Sequence, residues 1–211
     1  MLKELKVQDF LEVLSSDAPA PGGGSTAAFA ASTAASLTCM VFNLTIGKKM
    51  YEEYNDSIKT EIKSSLDKAK SSIEVFADFM DKDAEAFNDV IAAFKLPKET
   101  EEQKSKRLDA IQNGYLVALE VPLELAEKAY SLYECIDVAA AYGNKNAISD
   151  AGVASLMLQA AIESAVLNVK INLASIKDEV FKEKVTQHCT YIVDTGVKRK
   201  EEILRVCNSK I

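Results

Sequence analysis

Residues 19–46 read PAPGGGSTAAFAASTAASLTCMVFNLTI, and the paired lysines Lys48 and Lys49 follow directly behind Gly47. Two prolines and three glycines thus precede a run, from Ala27 to Ile46, without one charged side chain. Three arrangements fit such a pattern: a linker before a membrane span, a phosphate-cradling loop, or the start of a buried helix beside a ligand. The length suits a span of about 20 residues. The content does not, because Ala, Ser and Thr outnumber Leu and Ile, and Asn43 sits near the end. A Walker loop needs its Gly-Lys at the start of the helix, whereas Gly47-Lys48-Lys49 lies beyond it. A helix small or apolar on all sides belongs at the centre of a helical protein.

On that reading Ser25 caps the helix, Gly47 ends it, and the lysines suit the negative end of its dipole. Pro21, Gly22, Gly23, Gly24 and Ser25 then form either a structural turn or a loop that offers backbone N–H groups to a ligand.

The rest of the chain reads as helix. A short amphipathic helix is expected over Leu5–Leu14, and a long one over Tyr51–Phe94. The apolar stripe of the long helix runs Ile58, Ile62, Leu66, Ala69, Ile73, Phe76, Met80, Phe87, Ile91, Phe94. Pro97 and Thr100 mark a stop and a new cap. The next helix, from Glu102 to Tyr133, carries Pro122 and is expected to kink there. A second irregular stretch, YGNKNAISD, precedes a helix capped by Ser149 or Asp150 and running to Ile176. A final helix spans Asp178–Asn208. No strand pattern and no repeat appears, so residues 1–211 are expected to form one all-α domain, a bundle of long helices.

The 211 residues are 48% hydrophobic and 27% charged, enough for a substantial core. A net charge of −7 argues against nucleic acid as the main partner. Cys39, Cys135, Cys189 and Cys207 are scattered, and His188 is the only histidine, which disfavours a metal or redox site. Without a secretory signal at the start, the chain is expected to be cytoplasmic with reduced thiols and no membrane partner.

One carboxylate stands out. On a helical wheel Asp78, Asp81, Lys82, Glu85 and Asp89 share the polar side, but Asp83 falls in the apolar stripe between Met80 and Phe87. A carboxylate there is either paired, a helix-cap acceptor, or an acid whose pKa is raised for proton transfer. Asn144, Asn146, Ser149 and Asp150 cluster in the second loop, while Asn168 and Asn172 lie one turn apart. These residues suit turns, caps and satisfied core amides, or the hydrogen-bonding edge of a bound heterocycle.

Together the segments PAPGGGSTAA, MVFNLTIGKKMY, DKDAEAFNDVIAAFKLPKETEEQKSKR, VPLELAEKA, GNKNAISDAGVAS and NVKINL resemble the cyclodeaminase/cyclohydrolase family of folate enzymes, in the family's order and over nearly the whole chain. One departure is Ala30-Ala31-Ser32, where glycines are common in the family. The resemblance implies an all-helical homodimer with folate in a cleft lined by both subunits, and it puts the family acid on Asp83. It implies that Pro21 to Ser25 face the ligand and that Lys48 and Lys49 hold the glutamate tail of folate, whether mono- or polyglutamylated. A tetrahydrofolate derivative would be substrate, with no covalent cofactor and no metal. Formiminotetrahydrofolate cyclodeaminase leads among the implied activities and methenyltetrahydrofolate cyclohydrolase follows; any formimino substrate would come from a separate formiminotransferase. The reading of another class is a non-catalytic helical scaffold.

Overall fold

The computed structural model describes residues 1–211, and all regular structure in it is helical. A 3-10 turn at Leu2–Glu4 leads into α1 (Val7–Leu14), followed by α2 (Gly23–Asn43), α3 (Lys49–Glu52), α4 (Asp56–Phe94) and α5 (Glu101–Tyr142). A second 3-10 turn, Lys145–Ala147, precedes α6 (Ile148–Leu173) and α7 (Glu179–Asn208).

Helices α2, α4, α5 and α6 pack in a ring, each against two neighbours, and α7 lies over α5 and α6. Polar contacts fix the directions. Ser25 meets Met80, and Ser32 meets Ile73, so α2 and α4 are antiparallel. Asn172 meets Ala118 and Gln159 meets Tyr133, so α5 and α6 are antiparallel too. Alanine lets these helices approach closely. Ala27, Ala28, Ala31, Ala34 and Ala35 of α2 are buried, as are Ala151, Ala154, Ala161 and Ala165 of α6.

Several helix ends differ from the sequence-based expectation. Helix α2 starts two residues early, with extended Gly22 as a cap that contributes no side chain. Ser25 therefore lies inside the first turn, buried, and its hydroxyl turns to α4 instead of to its own helix. Gly47 does not stop α2, which ends at Asn43; it takes φ +78° in the following turn, a conformation that glycine adopts without strain. The expected Tyr51–Phe94 helix is split, because Asn55 caps α4 by accepting the N–H of Ile58. Neither Ser149 nor Asp150 caps α6, since a 3-10 turn closed by Asn144 takes the cap's place. Thr100 does cap α5, in a reciprocal box with Gln103. Pro122 does not end that helix, which continues unbroken to Tyr142.

Helices α2 and α6 are each long and apolar enough to cross a membrane, yet 56% of each apolar window is buried among its neighbours. The expectation that α2 is buried all round fails on its outer side, where Phe29 and Met40 are exposed. The apolar stripe of α4 also shifts beyond Asp83. There Ala86, Val90 and Ala93 are buried, while Phe87 and Phe94 are exposed. In this half α4 leans on α5, and Gly114 lets the Val90 backbone come near.

Candidate active site

A cleft of about 380 Å³ opens where the N-terminus of α2, the last third of α4, the first half of α5 and the end of α6 converge. Its floor is the Pro19–Gly24 segment with Asp83. Phe87, Val90, Tyr115 and Ala118 supply an apolar and aromatic side, and Asn168 and Asn172 a polar one. No protein acceptor meets the N–H groups of Gly23 and Gly24, so the positive end of α2 is left open beside the cleft.

Asp83 is held from one side only. Its Oδ2 accepts the backbone N–H of Ser25 at 2.8 Å and lies 3.0 Å from the Ser25 hydroxyl. That hydroxyl is also 2.9 Å from the Met80 carbonyl. A serine has one proton to donate. When it goes to Met80, the contact with Asp83 is completed by a proton on the carboxyl. Of the roles the sequence left open, capping acceptor is realised at Oδ2, whereas no cation pairs with the group: Lys82 lies over the Phe79 ring, 4.8 Å from its centroid. Burial pushes the Asp83 pKa above the ordinary carboxylate range, and the two hydrogen bonds from Ser25 pull against that shift.

Gly24 makes room for the carboxyl. A Cβ at this position would lie 1.9 Å from Asp83 Oδ1. Gly23 serves Asn168 more loosely, with a Cβ position 3.3 Å from Nδ2. Asn168 donates to the Ser164 carbonyl at 2.9 Å, and Asn172 to the Ala118 and Asn168 carbonyls at 2.7 and 3.0 Å.

The expected site residues divide between two ends of the bundle. Gly22, Gly23, Gly24, Asp83, Asn168 and Asn172 meet at the cleft. Pro21 and Ser25 are buried behind it, and Ser25 acts through Asp83. Lys48, Lys49, Asn144, Asn146, Ser149 and Asp150 lie at the other end, roughly 30 Å away along the 21 residues of α2. There Asn144 ties the second loop to α2, donating its backbone N–H to Thr45 Oγ1 at 2.8 Å and its side-chain amide to the Leu44 carbonyl at 2.9 Å. Lys49 is exposed, with Glu53 4.0 Å away. His188 forms a surface contact with Glu127 at 2.7 Å, joining α7 to α5. The four cysteines are free and buried, and burial pushes the Cys135 thiol up to about 11.

Phe87, Tyr115 and Ala118 escaped the sequence reading as site residues. Their only signal was a large aromatic or small residue on an apolar stripe, which core positions share.

Comparison with known proteins gives the family. Residues 6–191 match the formiminotransferase-cyclodeaminase family. A methenyltetrahydrofolate cyclohydrolase of Methylorubrum extorquens is 36% identical over 205 residues, 97% of each chain. The formimidoyltransferase-cyclodeaminase of Gallus gallus is 38% identical over 201 residues, 95% of this chain but 36% of the longer protein. The crystal structure of a formiminotetrahydrofolate cyclodeaminase from Thermotoga maritima has the same fold, with TM-score 0.78 and 24% identity over 100% of this chain and 97% of that one. A match over most of the chain, at such identities and in the same fold, has one reading: the protein belongs to the formiminotransferase-cyclodeaminase family.

Proposed function

We propose that the chain is a folate one-carbon enzyme, a formiminotetrahydrofolate cyclodeaminase that uses Asp83 as its acid/base group. The observation that carries this reading is a half-buried carboxyl on the cleft, unpaired by any cation, with one oxygen fixed by Ser25 and the other without a protein partner. The reaction asks for one such group. N10 of 5-formiminotetrahydrofolate attacks the protonated amidine carbon, forming the new C–N bond. The carboxylate takes the N10 proton and passes it to the departing nitrogen, the old C–N bond breaks, and ammonia leaves 5,10-methenyltetrahydrofolate behind. A carboxyl with a raised pKa suits both halves of that transfer. Packing of the substrate against Phe87 and Tyr115 would bring N5 and N10 into line with it.

A second reading is methenyltetrahydrofolate cyclohydrolase, favoured by the end-to-end match with the Methylorubrum enzyme. In it water attacks the methenyl carbon and Asp83 takes a proton from it; the C–N5 bond then breaks as N5 gains a proton and the second water proton leaves to solvent, giving 10-formyltetrahydrofolate. A spectrophotometric assay that follows methenyltetrahydrofolate formed from the formimino compound, and separately its hydrolysis, decides between them. Rates at background for both would end the enzyme reading and leave the helical scaffold.

Ser25→Ala tests the link to Asp83. Loss of the hydroxyl removes a hydrogen bond that lowers the Asp83 pKa, while the backbone N–H remains. The ionisation governing kcat/KM should therefore move to higher pH in the variant. An unmoved profile would detach Ser25 from the chemistry.

The homodimer belongs to the same proposal. Neighbouring helices α2 and α6 expose Phe29, Met40, Val153, Leu156 and Leu167, the last 66% exposed, and such a stripe is the usual material of an isologous contact. Sedimentation velocity should give a dimer at micromolar concentration, and Leu156→Lys with Leu167→Lys should give monomer. Lys48 and Lys49 do not line the cleft of their own chain. Their replacement by Ala should leave KM for the monoglutamate substrate unchanged, and any effect should appear only with polyglutamates and fade with salt.

A further inference from the structure

Pro122 lies inside α5, where its ring nitrogen has no proton to donate. The carbonyl four residues earlier, on Ala118, is thereby left without its helical donor. A side chain from the facing helix replaces it: Asn172 Nδ2 donates to Ala118 O at 2.7 Å and to Asn168 O at 3.0 Å. Both partners are carbonyl oxygens, which only an NH2 group can satisfy, so the amide has one orientation. Asn168 is turned the same way, one N–H of its NH2 donated to Ser164 O at 2.9 Å. Neither Oδ1 receives a proton from the protein, neither is sealed from solvent, and both residues line the cleft.

We infer that Pro122 is a positioning residue for Asn172, and that Asn172 in consequence presents the cleft with an acceptor and no donor, selecting a substrate edge that carries N–H donors. The inference deepens the folate reading and rests on it: the exocyclic amino group and adjacent ring N–H of the reduced pterin form such an edge. A proline in mid-helix ordinarily costs stability. Here the vacated carbonyl gives the amide a fixed anchor. With its NH2 group occupied, Asn172 cannot turn to present a donor, so a ligand edge of acceptors meets an unpaired oxygen instead.

Four chains test this: wild type, Pro122→Ala, Asn172→Ala and the double variant. Alanine at 122 restores an N–H for Ala118 O. The loss of melting temperature caused by Asn172→Ala should therefore be smaller in the Pro122→Ala background than in the wild type. With formiminotetrahydrofolate or methenyltetrahydrofolate as substrate, Pro122→Ala should raise KM several-fold and change kcat less. Wild type should favour the natural substrate over its 2-desamino analogue by about tenfold, the worth of one hydrogen bond. Asn172→Ala and Pro122→Ala should both narrow that preference. Additive thermal losses, or a Pro122→Ala enzyme with wild-type KM and wild-type preference, would overturn the inference. Failure of the folate reading shows separately, as a wild-type chain that turns over neither substrate, and the thermal cycle still decides whether Pro122 and Asn172 are coupled.

Discussion

Asp83→Asn is expected to fold, to bind folate, and to lose roughly a hundredfold or more in turnover. The amide keeps an oxygen for the Ser25 N–H, 2.8 Å away in the native chain, but it cannot exchange a proton. Stability supplies the control. Burial raises the folded-state pKa of Asp83 above its unfolded value, so proton binding favours the folded state. That contribution is complete below the unfolded pKa and is lost as pH rises through the folded one. Asparagine never ionises. The variant should accordingly gain on the wild type as pH climbs through the folded pKa, and lose that advantage in acid. Thermal melts and turnover measured on one preparation across pH check both statements. A variant that is stable and nearly fully active would remove Asp83 from the mechanism.

Gly24→Ala should do comparable damage while leaving every catalytic atom in the chain. The added Cβ would sit 1.9 Å from Asp83 Oδ1 and 2.4 Å from Cγ, so the carboxyl must move. Its side chain is short and tied to Ser25, which leaves it little room to swing aside. A displacement near 1 Å at a reacting group costs roughly a hundredfold in rate. The stability change should be smaller, because overpacking of about 1–3 kcal/mol is offset by the roughly 1 kcal/mol that Ala gains over Gly in a helix. Gly22→Ala is the matched control, since nothing lies within 4 Å of its Cβ position. Equal kinetics for Gly24→Ala and wild type would mean that the carboxyl adapts freely and that its placement is not critical.

The uncharged run from Ala27 and the place of Asp83 in an apolar stripe both follow from periodicity, which a sequence carries openly. Periodicity assigns faces but not neighbours. Nothing local says that the partner of Ser25 lies 58 residues away on α4, or that its hydroxyl turns outward because Gly22 already occupies the cap position. Lys48, Lys49 and the Asn144–Asp150 loop look like companions of the glycine loop by residue type. The antiparallel pairing of α2 with α6 places them at the opposite end, with Asn144 against Leu44 and Gly23 beside Asn168. Pro122 reads as a kink because a missing donor is usually a defect, and only the facing helix reveals the amide that replaces it.

The proposed chemistry needs a carboxyl whose pKa burial raises and which exchanges its proton during turnover. Its most direct test is a carbon-13 NMR titration of the Asp83 carboxyl in the intact chain, assigned by comparison with Asp83→Asn and laid over the pH dependence of kcat/KM. The account predicts a midpoint above the ordinary Asp value of about 3.9 that coincides with the kinetic inflection. A midpoint at or below that value, or one unrelated to the kinetic profile, would contradict it.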